Sequence, residues 1–172
     1  MKDIVLAVNP KWCEMIFSGE KTFEYRKSVP VSPIGGIYIY ETAPVSKVVG
    51  RVLVDGIVSG TPSEVWKATK RGGCVDKDFY DEYYRRRSKA YAYRLKDPQL
   101  FERPLDLSFF GLSSSPQNFA YFDNVVKALP KEWYDPSEDE EWLSYKIHAG
   151  ILPSSGGDES MAIRSSGFRC TS

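Results

Sequence analysis

The stretch DIVLAVNPKWCEMIFSGEKTFEYRK, residues 3–27, decides the architecture. Its first part, Asp3–Val8, is a short apolar run halted by Asn9-Pro10 and reads as a buried strand. A short helix follows. Asn9 is a good N-cap, and Pro10 suits the first helical position, where its missing N–H costs nothing. Trp12, Cys13, Ile16 and Phe17 form an apolar stripe opposite Lys11, Glu14 and Ser18, and Gly19 supplies the stop. Lys21–Lys27 then alternates as a strand, with Phe23 and Tyr25 on one face and Thr22, Glu24 and Arg26 on the other.

Working outward, Gly36–Tyr40 and Val45–Val58 carry the next strand signals, the second long enough to bend at Gly50 or Gly56. Thr61-Pro62-Ser63-Glu64 is a capping box opening a helix to about Lys70. Asp76–Arg87 predicts a second helix, with Phe79, Tyr80, Tyr83 and Tyr84 on one side and three arginines at its end. Lys89–Leu95 alternates again, Phe101–Leu107 is a weaker strand, and the glycine pairs Gly35-Gly36 and Gly72-Gly73 read as turns. Gln117–Leu129 and Ser137–Ile147 predict helices, and Ser and Gly dominate from Gly150 onward. The fold class expected is α+β: a small mixed or antiparallel β-barrel with surrounding helices and a C-terminal extension. The chain divides into a domain at 1–122, a helical acidic extension at 123–149 and a disordered tail at 150–172.

Composition agrees with one folded domain: of 172 residues, 42% are apolar and 27% charged. The longest apolar run, Ile4–Val8, is far too short for a membrane span, and Met1-Lys2-Asp3 is not a signal n-region, so no membrane partner is expected and the expected setting is cytoplasmic. Net charge is zero but uneven. Residues 1–120 hold 18 Lys/Arg against 14 Asp/Glu, and residues 121–172 hold 5 against 9. A mildly basic body permits a nucleic-acid partner without demanding one.

Chemistry concentrates at Gly19–Arg26, which has the form G-x-K-x-x-E-x-R. By average residue usage, such a pattern arises in roughly one chain in a few hundred of this length. One reading is a surface ion pair on an edge strand, which is common and weak. The other is a donor–acceptor–donor cluster facing a ligand. Glu24 raises the pKa of a neighbouring lysine, which favours a charged, binding Lys21 over a neutral base. Arg26 adds a planar donor fork suited to phosphate or a base edge. Lys11 stands nearby, and Trp12, Tyr40 and Tyr84 are candidates for a stacking wall. Arg85-Arg86-Arg87 is either a phosphate contact or a complement to a helix C-terminus. His148 is the only histidine and has no cysteine nearby, and acids at Glu138–Glu141 suit a helix start. No metal site and no cofactor are expected.

The segments Val5–Trp12 and Ile16–Lys27 together resemble the opening of an ASCH domain, a family of the PUA-like superfamily marked by the G-x-K-x-x-E-x-R signature after its first helix. Val31–Tyr40 with Pro44, Val48-Val49-Gly50, Asp78–Tyr84 and Lys89–Leu95 resemble later parts of that family, so the likeness covers residues 3–122. The resemblance implies a PUA-like β-barrel with a cleft beside the first helix, binding RNA, single-stranded nucleic acid or a modified nucleoside. Within the family it also implies an alternative, a hydrolase acting on N4-acetylcytidine or on RNA, with Lys21 and Glu24 as the catalytic candidates. The amidohydrolase branch has a threonine where this chain carries Glu24, so that hydroxyl is missing here.

Overall fold

Alternating and striped segments of the sequence become six strands and three α-helices among the described residues, 2–122, of the computed structural model. The extension, the tail, the helix expected at Ser137–Ile147 and His148 lie outside the described residues. In chain order the elements are β1 (Lys2–Val8), α1 (Pro10–Phe17), β2 (Phe23–Arg26), β3 (Ile34–Glu41), β4 (Lys47–Gly60), α2 (Pro62–Gly73), α3 (Lys77–Tyr83), β5 (Ala90–Leu105), a 3₁₀ turn (Leu107–Phe110) and β6 (Phe119–Tyr121).

The strands form one sheet in the order β2-β5-β4-β3-β1-β6. Only β1 and β3 run parallel among the described strands, because α1 and β2 provide the crossover that parallel pairing needs. The sheet is mixed and curls into a half-barrel with helices around it, so the domain is α+β. Its curl brings β2 against β1 although three strands separate them in the sheet. The Arg26 Nη2 donates to the Ala7 carbonyl at 2.6 Å across that seam. At the same side Asn118, just before β6, donates to the Ser28 hydroxyl at 2.8 Å.

Three apolar clusters hold this shape by removing side chains from water, each large one stabilising by about 1.5–3 kcal/mol. The inner cluster joins Ile4, Leu6, Ile37, Ile39 and Val52 to Cys13 and Ile16 of α1, so the first helix plugs the curled sheet. Val5, Tyr40, Val48, Leu105, Phe110 and Phe122 form a second cluster. In the third, Tyr25, Ala90 and Ala92 pack against Val65 of α2 and against Tyr80 and Tyr84.

Several local expectations hold in detail. Asn9 caps α1 by accepting from the Lys11 N–H, and Gly19 follows the helix at φ +81°. Thr61 and Glu64 form the reciprocal capping box of α2. Others are corrected. The second helix ends at Tyr83 rather than Arg87, with Arg86 at φ 62°. Lys89–Leu95 and Phe101–Leu107 are not separate strands but parts of one long strand, β5, which shifts register along β4. Gly35-Gly36 lies inside β3 and Gly72-Gly73 closes α2, so neither pair is a simple turn. Where a helix was expected to start at Gln117, residues Phe119–Tyr121 pair antiparallel with β1.

Candidate nucleic-acid interface

The seam between β1 and β2 opens into a cleft of about 210 Å³. That suits a single base better than a drug-sized molecule, whose pockets run about 300–1,000 Å³. Ala7, Val8 and Asn9 border it from β1 and the α1 cap, and Trp12 borders it from α1. Lys21, Glu24 and Arg26 line it from β2 and its approach, and Phe79, Tyr80 and Tyr83 line it from α3. The signature therefore faces a hollow.

The cluster is buried, which removes the surface ion-pair reading. Lys21 is 3% exposed and Glu24 6%, even though β2 is an edge strand. Alternation places Glu24 and Arg26 on the same face, and the Arg26 Nη2 donates to Glu24 Oε1 at 2.9 Å. Lys21 Nζ lies 3.5 Å from Glu24 Oε2, so the carboxylate bridges two cations. Lys21 Nζ also donates to the Gly73 carbonyl at 2.5 Å and sits 5.0 Å from the centroid of the Trp12 ring.

Gly73 is a partner that the residue pattern did not single out. A Cβ there would stand 2.2 Å from the Tyr25 hydroxyl, so only glycine allows the end of α2 to press against β2. Tyr25 in turn shares a 2.9 Å hydrogen bond with the Thr69 hydroxyl of α2. The Gly-Gly pair was the available signal, since paired glycines often mark a close backbone approach as well as a turn.

Burial pushes the Lys21 ammonium below the usual lysine range. Glu24 pulls it upward, as the sequence suggested, but desolvation outweighs the carboxylate, and Arg26 adds to the lowering. Cys13, a buried free thiol below the cluster, is raised well above its ordinary value by burial first and by Glu41 and Glu24 next.

The stacking candidates divide. Trp12 lines the cleft, tilted against Phe79 at 6.0 Å between ring centroids. Tyr40 does not: it faces the second cluster beside Val48 and Phe110. Tyr84 does not either, because its hydroxyl donates inward to the carbonyls of Arg26 and Tyr91 at 3.0 Å. Phe79 and Tyr83 take their places on the wall, and half-exposed Phe79 is the most accessible ring. Lys11 is exposed beside the cleft, its Nζ 4.7 Å from the Trp12 ring centroid. Among the described residues no cluster of three or more His, Cys, Asp or Glu side chains could hold a metal ion. No described helix is long and apolar enough to cross a membrane.

Residues 6–99 match the model of the ASCH domain. This chain belongs to the ASCH domain family. The domain is PUA-like, and the family is linked in general to RNA and nucleic-acid binding. The crystal structure of ASCH from Zymomonas mobilis superposes on this ASCH domain with a TM-score of 0.66 at 28% identity, covering 72% of this chain and 89% of that one. A single-residue variant of that protein gives a TM-score of 0.67 at 27% identity, covering 73% and 93%. An ASCH domain-containing ribonuclease from Zymomonas mobilis is 33% identical over 107 residues, 62% of this chain and 72% of its own length. Large ribosomal subunit protein uL22 of Ureaplasma parvum is 29% identical over 119 residues, 69% of this chain, and the match spans only 38% of that longer protein.

Proposed function

We propose that this ASCH domain binds single-stranded RNA by taking one unpaired or modified base into the cleft between β1, α1 and α3. The observation that carries the reading is the burial of Lys21, Glu24 and Arg26 at a concave site with Trp12, Phe79 and Tyr83 around it. Stacking on aromatic side chains tolerates any base and contributes about 1–3 kcal/mol per base. The signature groups beneath supply donors for a base edge, with Glu24 anchoring both cations so that neither swings away. Titrating a labelled single strand at low and moderate salt tests this. Phe79→Ala, at a half-exposed position, should weaken binding about 5- to 150-fold while leaving the fold intact. Unchanged affinity in that variant, or no binding at low salt, overturns the reading.

A second reading, hydrolysis, is favoured by the lowered basicity of Lys21. A neutral Lys21 amine would take the proton of a ribose 2′-hydroxyl, whose oxygen attacks the adjacent phosphorus. The P–O5′ bond breaks, a 2′,3′-cyclic phosphate forms, and O5′ takes a proton from solvent. For a nucleoside amide such as N4-acetylcytidine the same amine would take a proton from water, whose oxygen attacks the acetyl carbonyl; the carbonyl–N4 bond breaks, N4 takes the proton, and acetate and cytidine leave. Incubation with each substrate, repeated with Lys21→Met, tests it: cleavage that persists in the variant removes Lys21 from the chemistry.

A further inference from the structure

The helix that was expected to run through Arg87 stops at Tyr83, and that changes what the following cations do. Arg85, Arg86, Arg87 and Lys89 follow the helix on an exposed segment and none of them lies in its last turn. Arg85 is matched by Glu82 at 3.2 Å. Arg86, Arg87 and Lys89 have no ion pair among the described residues, nor has Lys27. Arg86 also holds the left-handed conformation, at φ 62°, on a turn with no glycine to favour it.

Lys27 reaches one lip of the cleft, and the segment that carries Arg86, Arg87 and Lys89 adjoins it between Tyr83 and β5. Register pairs Arg26 with Tyr91, so Lys27 leaves β2 beside the point where β5 begins, and Lys89 immediately precedes β5. Lys27 Nζ stands 4.5 Å from the centroid of the Tyr83 ring, and Tyr83 lines the cleft. Burial raises the pKa of the Tyr83 hydroxyl, the charge of Glu24 adds to the rise, and the charges of Arg26 and Arg87 and a backbone hydrogen bond at Lys27 lower it. An exposed cluster of one sign repels itself until an anion neutralises it.

We propose that Lys27, Arg86, Arg87 and Lys89 form a phosphate track for the RNA backbone on the Tyr83 side of the cleft. The inference rests on the single-strand reading above and extends it from one base to a polymer. A base lodged against Tyr83 carries its phosphodiester at this lip, where the unpaired cations stand. Continuity with an aromatic-walled hollow favours RNA over an acidic peptide, which has no flat ring to place there.

The test compares uridine with an eight-nucleotide oligouridylate across salt concentrations, for the full chain and for Lys27→Gln/Arg87→Gln. The oligomer should bind more tightly than the nucleoside, with a negative slope of log affinity against log salt. Each phosphate contact in a single strand contributes a slope of about 0.7, so the double variant should flatten the line by about 1.4. Its affinity for uridine should not move. Two further single variants, Arg86→Gln and Lys89→Gln, should each flatten it by about 0.7. An unchanged slope in all variants overturns the track, as does an oligomer that binds no better than uridine. If neither uridine nor the oligomer binds, the base-binding reading falls and takes the track with it. A polyglutamate of equal length that binds as tightly as the RNA overturns the assignment of the partner.

Discussion

Glu24 is the hub on which two buried cations depend, and removing it should show how strongly. Its side chain is 8% exposed, with Arg26 Nη2 at 2.9 Å and Lys21 Nζ at 3.5 Å. Glu24→Ala leaves both cations facing each other in a desolvated site without a counter-charge. Breaking a buried pair in this way costs about 3–5 kcal/mol, a large part of the roughly 5–15 kcal/mol that stabilises a domain. Glu24→Gln keeps an acceptor for Arg26 but removes the same counter-charge, so it should recover only the hydrogen bond, about 1 kcal/mol of that cost. Urea denaturation reads the difference: with a slope near 2 kcal/mol/M, the midpoint falls by about 2 M for Glu24→Ala and by about 0.5 M less for Glu24→Gln. A Lys21→Met background removes one stranded cation, so Glu24→Ala should cost less there. Equal midpoints for the wild type and Glu24→Ala, or identical costs in the two backgrounds, would refute the hub.

Lys21 also sets a pH dependence. Its folded-state pKa lies below the ordinary lysine value of 10.5, so between the two values the unfolded chain binds more protons and stability rises with pH. The buried tyrosines Tyr25, Tyr80 and Tyr84, whose pKa values are raised by burial, act with the opposite slope only above pH 10. Urea midpoints of the wild type and Lys21→Met from pH 7 to 10 should therefore diverge, and parallel curves count against the buried ammonium. Gly50→Ala should destabilise by about 1–3 kcal/mol, because its Cβ would stand 2.5 Å from both the Phe17 ring and the Gln99 carbonyl; an unshifted melting temperature contradicts that packing. Thr61→Ala, which opens the α2 capping box, should cost about 1 kcal/mol by chemical denaturation, and a loss below a few tenths would mean that the box contributes little.

What the residues disclosed on their own was local. Asn9-Pro10, Gly19 and Thr61–Glu64 signal helix ends through groups within a few positions of each other, and they appear as expected. The pairing of Glu24 with Arg26 follows from period-two alternation alone. Tyr40 was not legible, because both faces of β3 are covered and alternation does not say which cover is the cleft. Nor was Tyr84, the C-cap of α3, because helix periodicity does not say that its hydroxyl turns inward to backbone carbonyls. The continuous run of β5 through Pro98 and the short β6 depend on partners far away in the chain. The end of α3 at Tyr83 defeats helix periodicity for a different reason: Arg86 turns left-handed, which residue type does not forecast.

The hydrogen bond from Arg26 to the Ala7 carbonyl has a consequence for how occupancy reports itself. One guanidinium both borders the hollow and fastens the two rims of the curled sheet, so a guest that recruits its donors competes with the fastening. Thermal shift then tracks net affinity: a guest that leaves the rims clasped keeps its whole contact energy, and a guest that unclasps them binds more weakly and raises the melting point correspondingly less.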